Sequence, residues 1–400
     1  MQRLCETRES PVATNLLRPA WGQLDSHDLR ILLNERIGGP GQFYSREVNP
    51  NTLYLPLAGA QCRVVLTFCG RHIARVGAGQ AFNASEWEDI AEEIEASVLA
   101  GPTKFGRDYS FSTYRVQGSW RGQRSGVQIV PPHPAAPTAP YEMAEHPFIL
   151  EFPIQEAGLW AVTNHRRRRE HRDLTLLLNT LLRGRTNLQP RRATHFWACV
   201  QSGGGAPEIR WAQNFYFAPF GECLGETPSP LTDERLEEID SNRYYTEAMG
   251  IDGRGLRVPD DLDDSICRYQ GLTSARREEF DRAAYWLDIA SRQWCFSMSA
   301  SFAALVSAVE SLINAEGPGS RARFRDFFET YAPGATLLAS RNQMYSLRSG
   351  ILHGSELMAI DQDVSFGWDP PWWNERELHD ELWTVTRTAV RNWLRNPPPA

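Results

Sequence analysis

The strongest hydrophobic period in the 400-residue chain lies late, where Phe302, Leu305, Val306, Val309, Leu312 and Ile313 recur at helical spacing. Thr273–Phe296 sets Phe280, Ala284, Leu287 and Trp294 on one side, and Glu375–Leu394 repeats Leu378, Leu382, Val385, Ala389 and Trp393. Shorter helices are predicted at Arg321–Tyr331 and Thr336–His353. Gly317-Pro-Gly319 and Asp369-Pro-Pro-Trp-Trp373 are read as breaks. Five helices with short connections over 273–395 predict an α-helical bundle.

Earlier parts of the chain follow a different pattern. Thr52–Leu57 and Arg63–Phe68 place β-branched and apolar residues between turn signals, and Tyr109–Val116 alternates aromatic with polar positions, so strands are predicted. One helix stands among them. Ser85-Glu86-Trp87-Glu88 reads as a capping box, and Trp87, Ile90, Ala91, Ile94 and Val98 share a face. A proline-rich stretch at 131–140 reads as a stiff linker or surface loop. Next come an apolar strand at Phe148–Phe152, a helix at Asp173–Arg183, and two strands around Gly203-Gly-Gly205 that suggest a hairpin. Residues 218–272 are polar, acidic and turn-rich. The expected fold class is α+β and multidomain: a mixed, β-rich region at 1–145, its α+β continuation at 146–225, an acidic connecting segment at 226–272, and the bundle at 273–395.

Composition narrows the function. Hydrophobic residues at 42% and charged residues at 23% suit a globular chain, and a net charge of −7 means that nucleic-acid contact must come from a local patch. Lys104 is the single lysine among 42 basic residues, in neither a nucleotide-loop nor a kinase context, which excludes mechanisms built on such a lysine. Seven scattered cysteines include no C-x-x-C pair, and the opening MQRLCETRESPV lacks a signal-peptide core. The uncharged stretch Gln293–Val309 is too short and serine-rich to span a bilayer. A cytoplasmic protein without membrane association is expected.

Candidate chemistry centres on Tyr345-Ser-Leu-Arg348-Ser349-Gly-Ile-Leu-His353-Gly354. Arginine offers a planar, permanently charged fork for phosphate, and histidine moves protons near neutral pH. On a straight helix these two positions stand about 140° apart, so they converge only where the helix ends or distorts. The plain alternative is a histidine beside a C-capping glycine. Arg166, Arg167, Arg168, Arg169 and Arg172 form the most basic run, an RNA-contact candidate or a solvated helix start. Asp260, Asp261, Asp263 and Asp264 lack the glycine and distal glutamate of a calcium loop and read as an acidic loop. Trp368, Trp372 and Trp373 suit packing or base stacking.

Tyr-x-x-Arg-Ser-x-Ile-x-His-Gly in the penultimate helix, preceded by the apolar Ala304-Leu-Val-Ser-Ala308-Val-Glu310 with its lone carboxylate, resembles the HEPN superfamily, most closely its Apea-like branch, over 273–395. The resemblance implies a metal-independent RNA endonuclease without cofactor, acting as a homodimer through the bundle. Arg348 would bind the scissile phosphate, His353 would transfer protons, and Glu310 would lie on a neighbouring helix, with Tyr345 and Ser349 completing the motif. Many active relatives carry Asn, Asp or His where this chain has Ser349, although serine can still orient a phosphate oxygen. The expected role is a stress or anti-phage effector cutting tRNA or mRNA, with the N-terminal region sensing or gating. The alternative is a non-catalytic dimerising bundle that binds RNA or nucleotide.

Overall fold

The computed structural model describes residues 15–19, 21, 24–37, 43–44, 51–56, 62–70, 72–79, 82–99, 101–132, 146–183, 186–188, 195–200, 208–213, 223–246, 255–294, 296–313, 319–334, 338–362 and 370–398. The fold is mixed, strand-rich toward the N-terminus and helical toward the C-terminus. Contacts divide the chain into two compact units, residues 1–105 with 153–170, and residues 106–152 with 171–400. This division departs from the linear four-part order expected from the sequence. The helical bundle shares its unit with strands rather than standing alone.

In the first unit, α1 (Ser26–Ile37) precedes an antiparallel sheet of β1 (Phe43–Tyr44), β2 (Thr52–Pro56), β3 (Cys62–Cys69) and β4 (His72–Ala78), followed by α2 (Ala84–Leu99). Alternation on β2 and β3 turns Leu53, Leu55, Val64 and Leu66 into the core, where Leu29, Leu32, Trp87, Ala91 and Ile94 meet them. A bulge between Thr67 and Phe68 shifts the β3–β4 register. The helix α2 begins before the expected capping box. Asn83 Oδ1 accepts the Ser85 amide at 3.1 Å, and Glu88 pairs with Arg18 instead of reaching back. Asparagine is as good a cap as serine, and here it comes first.

Next along the chain come β5 (Thr103–Ser112), β6 (Trp120–Arg121), β7 (Gln128–Val130), β8 (His146–Gln155), α3 (Trp160–Leu181), β9 (Thr186–Leu188), β10 (His195–Val200), β11 (Glu208–Gln213) and β12 (Leu224–Gly225). They form a sheet of order β12-β5-β8-β7-β6, with β9 on β5, and a separate antiparallel pair β10–β11. The helix α3 starts well before the expected Asp173, so the arginine run lies inside it. Unbroken N–H to C=O bonding through residues 165–172 needs no special residue there, because arginine is a good helix former.

The segment expected to be an acidic connection with one short helix is packed structure. It contains β13 (Glu238–Ile239), α4 (Ser241–Thr246), β14 (Val258–Pro259) and α5 (Leu262–Gln270), with β13 and β14 parallel. Leu262, Ile266 and Tyr269 are fully buried. Their i, i+4, i+7 spacing was legible but hidden among aspartates.

The bundle consists of α6 (Ser274–Gln293), α7 (Met298–Glu310), α8 (Ser320–Tyr331), α9 (Leu338–Leu352), α10 (Ala359–Gln362) and α11 (Pro370–Arg395). Its centre is α7, apolar on nearly every side and buried from Phe302 through Leu305, Val306 and Val309. A helix hydrophobic all round belongs inside a core. Leu378, Leu382, Val385, Ala389 and Trp393 bury one stripe of α11. The expected break at 369–373 is corrected: α11 starts at Pro370, because a proline in the first turn loses no intrahelical hydrogen bond. Among the described residues, no helix is long and apolar enough to cross a membrane.

Candidate functional site

Glu310 is the last residue of α7, and Arg348 lies near the end of α9, which packs against it. Arg348 Nη2 donates to Glu310 Oε2 at 2.5 Å. Burial pushes the Glu310 carboxyl above its ordinary range, against the opposing pull of Arg348 and Arg323. The Arg348 Cζ sits 5.9 Å from the centre of the Tyr345 ring, one helical turn earlier, within cation–π range. Tyr345 is held from α8, where its hydroxyl donates to Ser320 Oγ at 2.5 Å and Phe324 packs on its ring at 5.5 Å. Three of the five sequence candidates, Glu310, Tyr345 and Arg348, therefore form one cluster.

His353 and Ser349 stand outside that cluster. The helix α9 remains regular to Leu352, and no distortion brings His353 back over Arg348. The Gly354 amide donates to Ile351 O at 3.0 Å and the Ser355 amide to Gly350 O at 2.9 Å, with Gly354 at φ +70°. This pair of bonds is a Schellman termination, and it places His353 at the C-cap position with an exposed side chain. The Ser349 carbonyl accepts the His353 amide at 3.0 Å. Among the described residues no side-chain hydrogen bond joins His353 to Arg348, Ser349 or Glu310. Beyond His353 the chain is pinned to the start of α7. Asp361 accepts from Ser297 Oγ, Met298 N and Ser299 N, and the Met358 amide donates to Ser299 Oγ. Burial opposes ionisation of Asp361, yet the serine and backbone donors hold its carboxyl below the ordinary range.

The arginine run is largely engaged within the first unit. Arg166 Nε donates to buried Asp28 at 2.8 Å, Arg169 pairs with Asp25 at 2.8 Å, and Arg167 donates to Asn164. In the second unit, Arg172 pairs with Asp173. Arg168 is exposed. The four aspartates also have separate tasks: Asp263 accepts from Ser125 and the Arg124 amide, Asp264 pairs with Arg124, Asp261 pairs with Arg395, and Asp260 accepts the Ser241 amide. They fasten elements together and do not converge on one point. Trp372 and Trp373 meet edge to face at 5.0 Å, and Trp373 is exposed; Trp368 lies outside the described residues.

The helix α8 forms where the sequence predicts it, at Ser320–Tyr331, but its part in the site was not anticipated. Ser320 and Arg321 reach α9 from its first turn, and Arg321 Nη2 donates to Ser346 Oγ at 3.2 Å. The alternating arginines of Ser320-Arg-Ala-Arg-Phe-Arg325 were the available signal. Compared with known proteins, the chain matches no family model, no curated protein and no solved structure.

Proposed function

We propose that the protein is a metal-independent RNA endonuclease of HEPN type. The observation that carries this reading is the Glu310–Arg348 contact, which joins a carboxylate and a guanidinium from neighbouring helices, with an exposed histidine five residues after the arginine. RNA supplies its own nucleophile. The protein has to remove the 2′-hydroxyl proton, steady the phosphorane and protonate the leaving 5′-oxygen. Arg348 binds the scissile phosphate through the edge of its guanidinium that Glu310 leaves open. His353 transfers the proton, help worth roughly 10²–10⁴ in rate. One histidine cannot be acid and base in the same step, so a second copy of the chain, joined through the bundle, supplies the other group. The N-terminal region then senses a stress or phage signal in the cytoplasm.

The test is incubation of the purified protein with total RNA, with and without chelator. Chelator-resistant fragments ending in 2′,3′-cyclic phosphate are expected, and His353→Ala should remove them without changing the melting temperature. Undiminished cleavage by that variant refutes the assignment.

A second reading rests on the same geometry. Arg348 is engaged by Glu310, His353 serves as a helix cap, and Ser349 follows the arginine; together these suit a bundle that dimerises and binds RNA or nucleotide without cutting it. Binding without fragments would select it.

A further inference from the structure

Two guanidinium groups share one aromatic ring beside the Glu310–Arg348 pair. Arg321 Cζ lies 5.8 Å from the Tyr345 ring centre and Arg348 Cζ lies 5.9 Å from it. The ring is fixed by its bond to Ser320 and by Phe324, so the aromatic surface that both cations contact is held in place. Arg323, next but one along α8, is close enough to Glu310 to favour its ionised form. Two positive side chains, Arg348 and Arg323, thus act on the Glu310 carboxylate, and Arg321 shares the Tyr345 ring with the first of them.

Arg321 differs from several arginines of this bundle. Arg276, Arg292, Arg341 and Arg395 each pair with a carboxylate. For Arg321 the partners are a serine hydroxyl and an aromatic face, and it is exposed. It also occupies the first turn of α8, where there is no acidic residue and where the helix dipole disfavours a cation. Its contacts to Ser346 and the Tyr345 ring tie α8 to α9 but supply no opposite charge. An exposed guanidinium without a carboxylate, beside Arg348, has donors left for an external anion.

We infer that Arg321 binds a backbone phosphate of single-stranded RNA next to the one held by Arg348, so that the site grips a run of strand instead of a single phosphodiester. This rests on the RNA reading above. A single strand is required because in-line attack by the 2′-oxygen needs a backbone geometry that a paired A-form strand does not adopt.

The test uses a fluorescent, unstructured RNA oligonucleotide and anisotropy titrations at several salt concentrations, with His353→Ala protein so that the strand stays intact. Each phosphate contact on a single strand contributes about 0.7 to the slope of log affinity against log salt. Arg321→Gln should lower the slope by about that amount and weaken binding roughly 8-fold at about 50 mM salt, and Arg321→Lys should restore most of both. Melting temperatures equal to the parent's separate this from a folding defect, and Arg321→Ser provides a second neutral variant. If Arg321→Gln binds like the parent while Arg348→Gln binds weakly, the second contact is refuted and the RNA reading stands. A mononucleotide competing as well as the oligonucleotide likewise overturns the extended contact. If the parent fails to bind RNA, or Arg348→Gln changes nothing, the RNA reading itself fails and this inference with it.

Discussion

Glu310 on α7 and Arg348 on α9 meet at 2.5 Å, and each is mostly buried. The contact does two jobs: it ties two helices of the bundle together, and it occupies one edge of the guanidinium on which the proposed chemistry depends. Glu310→Ala would leave Arg348 without its carboxylate, so a loss of about 1–3 kcal/mol is expected in urea unfolding. Affinity for RNA should rise at the same time, because the released guanidinium no longer competes with an internal anion. Lower stability with lower affinity would show that Glu310 orients Arg348 for binding rather than restraining it.

Glycine 354 adopts φ +70° with open space around its α-carbon, so the obstacle to a side chain there is the backbone conformation. Gly354→Ala should cost about 1 kcal/mol and shift His353 from its cap position. Gly350 is the contrast. An added β-carbon would meet the flexible end of Glu356, which can move aside, so Gly350→Ala should be nearly neutral. Melting temperatures of the two variants give the comparison directly.

Asp281 accepts a hydrogen bond from the Tyr269 hydroxyl at 2.7 Å, joining α6 to α5. Burial, with Asp173 adding repulsion, pushes its carboxyl up to about 6. In the unfolded chain it ionises near the ordinary value. The protonated form therefore stabilises the fold fully below about pH 4, and that contribution disappears as the pH rises to about 6, a loss of at most about 3 kcal/mol. Asp281→Asn should flatten this part of the stability profile and be the more stable protein at pH 7. A profile unchanged by the substitution would count against the assignment.

Asp28 behaves with the opposite sign. It is 2% exposed, and burial alone would raise its carboxyl, but hydrogen bonds from His165 and Arg166 prevail and hold it below the ordinary range. Its contribution is present above the usual carboxylate range and is lost as the pH falls through the depressed value. Asp28→Ala strands a guanidinium and should cost about 3–5 kcal/mol, read as a fall in the urea midpoint.

The sequence by itself determined the helices of the bundle and their buried stripes. Phe302 through Val309 and Leu378 through Trp393 repeat at 3.6 residues, and a helix so patterned has one low-energy way to hide its apolar face. It also marked Gly354 as a stop, since few residues other than glycine accept its backbone angle. Tertiary packing decided the rest. The period along one helix cannot say which neighbouring side chain will reach across, so nothing in the spacing of Arg348 and His353 indicated that the arginine would turn to Glu310 while the histidine stayed in solvent. The arginine run at 166–172 looked like an open basic surface because Asp25 and Asp28 lie far away in the chain; folding placed them alongside, where a buried charge requires a partner. Arg321 was overlooked for the same reason: its meaning comes from the ring of Tyr345, a residue that only the packing of α8 on α9 brings near.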